Sequence, residues 1–435
     1  MDKDMIDIES ENPAEKCISD KNSTSRIITA GIIGNVMEWY DFGLYGYFAT
    51  IIGREFFPSA DPSNSLIAAF GAFAAGFLVR PFGGMVFGRI GDLLGRRRAL
   101  TISVILMGLS TLLMALLPTY HQVGIMAPIA IVLLRLLQGL SVGGEYTSSI
   151  IFLCERAPNQ QRGFYGVWGL WGSVLGMLIG SGFGDALSQI LTADQLTNWG
   201  WRIPFAAGAL VALTGFVIRR GLDADVINQD VRRPVQEAFG RHRSAMLRVM
   251  LLNIASSVVF YLAFVYAVSY VEVNDGLSDA KALSLNTGVM ALLLLLYPIS
   301  AWISDRIGRK PMFIVGAGWL LIGSWPIFRL LHSTDPSSIF RGELGLMVAV
   351  ALLAGAKNAA NVELMPAPVR CTGLALAFNA AEGWFGGTTP LVAAWLIAMT
   401  GNPMMPALPA MAAALVTLVT VVGFTRETAF LPLET

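Results

Sequence analysis

A handful of ionisable side chains stand in apolar surroundings, where a charge is costly unless it is paired or wet. Two acids lie in Asn35-Val36-Met37-Glu38-Trp39-Tyr40-Asp41-Phe42. Glu38, Asp41 and Tyr45 are three and four residues apart, so a helix puts them on one face. Two neighbouring acids in a low-dielectric site repel each other, which suits one of them to hold a proton. The plainer alternative is that one acid caps or packs near the helix end.

A second group is Arg135-Leu136-Leu137-Gln138-Gly139-Leu140-Ser141-Val142-Gly143-Gly144-Glu145-Tyr146. Helical periodicity places Arg135, Gln138, Val142, Glu145 and Ser149 on one face. A buried Arg135 needs a carboxylate, and Asp41 and Glu145 are the two candidates. A pair that opens on protonation of its acid is a proton switch; a permanent pair only holds two helices in register. Arg80, in Val79-Arg80-Pro81-Phe82, either forks onto a substrate carboxylate or pairs with Glu38. Further on, Lys357, Asn361, Asn379 and Glu382 fall mid-helix as candidate substrate ligands, unless Lys357 and Glu382 neutralise each other. Trp39, Tyr45 and Trp384 are the aromatic candidates for lining a cavity. Metal and nucleophile chemistry have little to work with. Cys17, Cys154 and Cys371 are scattered, and His121, His242 and His332 fall at predicted loops or helix ends.

The elements that must position these residues are long and apolar. Of 435 residues, 54% are hydrophobic and only 14% charged, and the formal net charge is zero. Mean hydropathy is +0.61. Such a chain reads as a membrane protein and lacks the basic footprint of a nucleic-acid binder. Twelve segments suit a spanning helix: 27–52, 66–90, 99–118, 123–153, 163–190, 200–219, 246–272, 282–304, 311–332, 341–364, 371–399 and 403–424. Arginine and lysine concentrate in the connections near 89–98, 155–162, 219–248, 305–310 and 370, which predicts both termini in the cytoplasm. The resulting domains are an acidic, disordered tail over 1–25, a six-helix bundle over 26–219, a linker over 220–245, a second bundle over 246–425 and a short tail over 426–435.

Two pairs of connections repeat. Gly88-Arg89-Ile90-Gly91-Asp92-Leu93-Leu94-Gly95-Arg96-Arg97 is echoed by Ser304-Asp305-Arg306-Ile307-Gly308-Arg309-Lys310. Glu155-x-x-Pro158-x-x-x-Arg162 is echoed by Glu363-x-x-Pro366-x-x-x-Arg370. Both offsets are close to half the chain, which predicts two structural repeats. Glycines three or four apart, Gly169, Gly172, Gly176, Gly180 and Gly184, predict close helix packing on the fifth segment.

These repeats resemble the major facilitator superfamily. Gly34-Asn35-x-x-Glu38-Trp39-Tyr40-Asp41-Phe42-x-x-Tyr45, Arg80-Pro81-x-Gly83-Gly84 and Arg135-x-x-Gln138-Gly139 through Glu145-Tyr146 resemble its metabolite:proton symporter branch, whose members carry proline and betaine, 2-oxoglutarate, citrate or shikimate. The resemblance implies proton-driven symport of a small carboxylate-bearing metabolite by alternating access, powered by the proton gradient without a cofactor. It also implies a monomer in the inner membrane. Asp41 and Arg135 take the coupling positions, joined by Glu38 and Glu145. The substrate set comes from the residues themselves and not from the resemblance, which has no counterpart for Lys357: Arg80, Arg135, Gln138, Tyr45, Trp39, Lys357, Asn361, Asn379 and Glu382. Asp92, Gly95 and Arg96 take the conformational loop, with Gly88, Arg97, Asp305, Gly308, Arg309, Glu155, Arg162, Glu363 and Arg370 at the related connections. An anion exchanger, an uncoupled facilitator and a non-transporting sensor share this fold and stay open. An enzyme would need a nucleophile–base pair within the spans, and no histidine lies deep in one.

Overall fold

The computed structural model describes residue 32 and residues 35–94, 96–142, 145–210 and 234–433. The expected tail 1–25 and linker residues 220–233 lie outside them, as do the side chains of Gly88, Asp92, Arg96, Arg97 and Glu145 and the whole of Gly95. The described residues are helical throughout, with no strand. In chain order, α1 covers 35–47 and continues through Phe48 into Ala49–Phe56. Then come α2 (Pro62–Leu94), α3 (Arg96–Leu116), α4 (Met126–Ser141 and Glu145–Glu155), α5 (Arg162–Ile190) and α6 (202–210). The second set is α7 (Arg243–Asp275), α8 (Asp279–Ile307), α9 (Arg309–Leu331), α10 (Pro336–Leu364), α11 (Arg370–Ala380, Ala381–Gly386 and Thr389–Thr400) and α12 (Ala407–Phe424).

Among the described residues, eight helices are long and apolar enough to cross a membrane. The expected spans 27–52 and 200–219 lie partly outside the described residues, and the third is a shorter apolar helix, Thr101–Leu116. The eleventh is interrupted by a wide π-turn at Ala381–Gly386. A second wide turn, Leu262–Tyr266, lies within α7.

Helix ends follow local chemistry. Asp335 caps α10 by accepting the amides of Ser337 and Ser338, with Pro336 at the first helical position. Gly308, at φ +104, breaks the chain sharply between α8 and α9. The first cationic connection behaves differently from expectation. Helix α2 runs on to Leu94 and α3 starts at Arg96, so 88–98 is helix apart from Gly95 rather than an open loop. Its Leu, Ile and Arg residues favour helix, and each glycine costs only about 1 kcal/mol. The described end of the linker is also helical. Pro234–Arg241 is a short helix with Ala238 buried, packed against Ala367–Val369 and the start of α11.

The glycines of α5 do bring backbones together. A Cβ on Gly172 would stand 2.9 Å from the Ile32 carbonyl oxygen, and one on Gly176 would strike the Val36 carbonyl. Across the two helix sets, α5 lies along the length of α8. Its Gly163 amide donates to Asp305, its Trp171 indole to the Leu294 carbonyl (3.1 Å), and Ser181 meets Thr287 at 2.7 Å. Helix α1 meets α7 through Trp39 and Phe260, with ring centroids 5.2 Å apart. Helix α2 meets α11 where a Cβ on Gly383 would lie 2.5 Å from the Phe77 carbonyl oxygen. The sets touch at the cationic end and also at the far end, where the Thr50 hydroxyl donates to Glu272 (2.9 Å).

Candidate functional site

Asp41 is buried on α1, and its Oδ2 accepts a 2.6 Å hydrogen bond from the Thr111 hydroxyl of α3. Gln138 Nε2 of α4 donates to that hydroxyl oxygen (2.9 Å), and Arg135 Nη1 donates to Gln138 Oε1 (2.8 Å). Asp41 and Arg135 are therefore joined through two neutral side chains and do not touch. This corrects the expected direct ion pair. Arg135 lies over the rings of Tyr45, Phe42 and Phe73, its Cζ 4.5, 4.8 and 5.1 Å from their centroids. Each ring face supplies about 0.5–2 kcal/mol. Gln138, one turn along the same helix, then takes the place an acid would have had. Asp41 Oδ1 and Arg135 Nε and Nη2 have no hydrogen-bond partner. Helix α6 closes this corner, where a Cβ on Gly208 would stand 2.8 Å from Asp41 Oδ1.

Arg80 follows the second of its two expected courses. Its Nη2 pairs with Glu38 Oε1 at 2.8 Å, both side chains being buried. Its Cζ lies 5.1 Å from the Phe77 ring, 5.5 Å from Phe42 and 5.9 Å from Trp39. Arg80 Nε and Nη1 and the Trp39 indole N–H remain without a partner. The Tyr45 hydroxyl is spent on the Ala69 carbonyl (3.0 Å), so this residue contributes its ring face.

The opposite wall comes from α7, α8, α10 and α11. Lys357 Nζ pairs with Glu382 Oε1 at 2.7 Å and stands 5.0 Å from the Phe378 ring centroid. Glu382 Oε2 and the hydroxyls of Tyr261 and Tyr297 are buried without partners. Tyr261 stands where the two walls meet, its ring 6.3 Å from that of Trp39. Its ring centroid is 5.1 Å from that of Phe77.

Asn361 and Asn379 stand apart from this chamber. Asn361 exchanges hydrogen bonds of 2.7 and 3.2 Å with Asn253 of α7, and the Asn379 amide donates to the Ala375 carbonyl of its own helix. Trp384 is 48% exposed on the outer face of α11, against the expectation that it lines a cavity. Trp384 is two residues from Glu382, about 200° around a helix, so the helix that keeps Glu382 in turns Trp384 out.

At the cationic end the repeated connections cross-pair between the helix sets. Arg162 meets Glu363 at 2.9 Å and Arg370 meets Glu155 at 2.6 Å. Arg309 reaches both Glu363 (3.1 Å) and Asp305 (2.8 Å), and Asp305 also accepts the Gly163 and Phe164 amides at the start of α5. The last residues join this latch. Glu427 accepts the Arg309 and Lys310 amides (2.8 and 2.9 Å), Thr428 donates to Glu363 (2.7 Å), and Arg162 holds the Leu431 carbonyl (2.6 Å).

Several of these residues escaped the sequence reading. Phe73 and Phe77 lie at helical spacing from Arg80, a signal that was available. Thr111, Tyr261, Tyr297 and Glu427 carried none beyond their polarity. Among the described residues no group of His, Cys, Asp and Glu could hold a metal ion.

Twelve helices in two pseudo-symmetric bundles around a buried, charged chamber define a polytopic membrane transporter of the major facilitator fold, not an enzyme. The chain belongs to the sugar (and other) transporter family, whose model matches residues 27–223 and 218–435. It is 36% identical over 406 residues to the proline/betaine transporter of Salmonella typhimurium, covering 90% of this chain and 81% of that one. It is also 36% identical over 433 residues to the glycine betaine/proline/ectoine/pipecolic acid transporter OusA of Dickeya dadantii, covering 96% and 86%. Among solved structures, the proton:xylose symporter XylE bound to 6-bromo-6-deoxy-D-glucose superposes with a TM-score of 0.75 at 18% identity, covering 95% of this chain and 98% of that one.

Proposed function

We propose that this protein is a proton-driven symporter of a small carboxylate-bearing zwitterion, of the proline and betaine type, working by alternating access in the cytoplasmic membrane with both termini inside. The observation that carries the reading is the chain Asp41–Thr111–Gln138–Arg135, which ends on a guanidinium with unpartnered N–H groups in the chamber between the bundles. A proton on Asp41 removes the anion that the network was compensating. Arg135 is then left with excess positive potential, which a substrate carboxylate supplies in turn. Proton and substrate therefore favour each other's binding, and linkage makes the effect reciprocal.

Arg80 and Arg135 face the carboxylate in this reading, and Trp39, Phe42, Tyr45, Phe73 and Phe77 supply ring faces, which suit an ammonium group as well. Glu38 holds Arg80 in place. Gln138 couples rather than binds. The Lys357–Glu382 pair contributes the far wall. Opening toward the cytoplasm breaks the Arg162–Glu363 and Arg370–Glu155 pairs and withdraws Asp305 from the start of α5. Asp92, Glu145 and their neighbours are assigned to the same cycle. The protein works as a monomer and needs no cofactor.

The test is uptake into proteoliposomes under an inward proton gradient, with labelled proline, betaine, 2-oxoglutarate, citrate and shikimate, comparing wild type with Asp41→Asn. Accumulation of proline or betaine that disappears in the variant is expected. Gradient-independent counterflow of one compound, unchanged in Asp41→Asn, would instead identify a facilitator or exchanger and remove Asp41 from the mechanism.

A further inference from the structure

The two walls of the chamber offer opposite chemistry. The wall from α1, α2 and α4 presents five donor atoms without partners, Trp39 Nε1, Arg80 Nε and Nη1, and Arg135 Nε and Nη2, beside the unpartnered oxygens Asp41 Oδ1 and Asn35 Oδ1 of α1. The wall from α7, α8 and α11 presents Glu382 Oε2 and the hydroxyls of Tyr261 and Tyr297. The two walls meet at Phe77. Phe77 is 5.1 Å from the Arg80 guanidinium, and its carbonyl lies against Gly383, the residue after Glu382.

The acceptor wall is also nearly neutral. Lys357 sits 2.7 Å from Glu382 Oε1 and cancels most of its charge. The remaining oxygen therefore acts less as a general attractor of cations than as a directional acceptor, which rewards a donated N–H. A buried acceptor left without a donor costs about 1–3 kcal/mol. A trimethylated nitrogen has no N–H to give, and it also holds its methyl groups between the nitrogen and the oxygen.

We propose that Glu382 Oε2 receives an N–H of the substrate's ammonium while Arg80 and Arg135 hold its carboxylate, so that among zwitterions of this type amino and imino acids bind more tightly than their fully N-methylated counterparts. The proposal rests on the zwitterion reading above and adds an orientation to it: carboxylate toward α2 and α4, nitrogen toward α11. Glu382 is thereby a specificity-determining residue. The substrate spans the bundle interface, and its two ends report separately on the two walls.

Two methylation series test it, with the carboxylate held constant. One is L-proline, N-methylproline and N,N-dimethylproline; the other is glycine, sarcosine, dimethylglycine and glycine betaine. Each compound is titrated against the purified full-length protein in detergent by isothermal calorimetry. The expected result is affinity that holds while one N–H remains and drops by roughly 10- to 100-fold at the last methylation. In Glu382→Gln the proline affinity should fall, and the ratio between the first and last members should shrink toward one. A melting curve confirms that the variant is folded. Equal affinity across both series in wild type overturns the proposal but leaves the zwitterion reading standing. No binding by any member of either series overturns both. The wild-type series alone decides the matter if Glu382→Gln does not fold.

Discussion

Arg135 on α4 and Lys357 on α10 are both buried cations facing one chamber, on equivalent helices of the two bundles. Among the described residues Arg135 has no acid paired with it; it rests on three ring faces and one glutamine. Lys357 has a glutamate at 2.7 Å and one ring. The difference follows from the cations themselves. A guanidinium is planar, delocalised and weakly hydrated, so rings and a neutral amide can hold it, whereas a compact ammonium needs a carboxylate. The consequence is that Asp41 is spared for protonation on one wall, while Glu382 is half committed on the other.

The largest expected effect breaks the committed pair. Lys357→Met leaves Glu382 charged and buried, and should cost about 3–5 kcal/mol in thermal stability. The double variant Lys357→Met/Glu382→Gln should recover most of that loss, because an ion pair replaced whole is close to neutral. Asp41→Asn should change stability far less. An equal loss in Asp41→Asn would erase the distinction between the walls.

A smaller effect is expected at Gly208, where an added Cβ would lie 2.8 Å from Asp41 Oδ1 and 2.9 Å from the Thr111 methyl. Gly208→Ala should slow transport about tenfold by displacing the carboxylate, at the low end of the overpacking range of 1–3 kcal/mol. Gly71→Ala, with nothing within 4 Å, is the control that should behave as wild type. Thr111→Val removes only the hydroxyl that links Asp41 to Gln138. Gradient-driven uptake should fall several-fold while counterflow persists, consistent with the loss of one buried hydrogen bond. Full drive in this variant would take Thr111 out of the coupling path.

The smallest effect concerns the latch, far from both walls. Burial pushes the Glu427 carboxyl up, but the amides of Ala429, Arg309, Lys310 and Thr428 outweigh it and hold the carboxyl below its ordinary value of 4.5. A depressed folded value means that the contribution is complete above about pH 4.5 and fades as pH falls through the lowered value. Protection of the tail from proteolysis should weaken on acidification in that window. Glu427→Gln should be weakly protected at every pH.

The sequence alone made the bundles legible because apolar length and repeated loops are local properties. The Glu155–Arg370 and Arg162–Glu363 pairs were visible as repeats, and a pseudo-twofold axis brings such residues together across the interface. Arg80 with Glu38 and Lys357 with Glu382 were each foreseen as one of two outcomes. The Thr111–Gln138 link was not, because it joins α1, α3 and α4 through residues whose types are unremarkable in helices. Trp384 misled because it was chosen for its residue type, whereas its spacing of two from Glu382 puts it on the opposite face. The seat of residues 427–431 carries no periodic signal at all.

The wide turns at Leu262–Tyr266 and Ala381–Gly386 each hold one more residue than an α-helix would use. They are, in effect, single-residue insertions preserved in the wall that receives Glu382. Deleting one residue from the second would close the turn and rotate Thr389–Thr400 by about 100° against Arg370–Ala380. An outward face of α11 would then swing toward the chamber with no side chain exchanged. In this wall the length of the chain is as much a determinant of what the chamber accepts as the letters that spell it, and variation among relatives here is better sought in gaps than in substitutions.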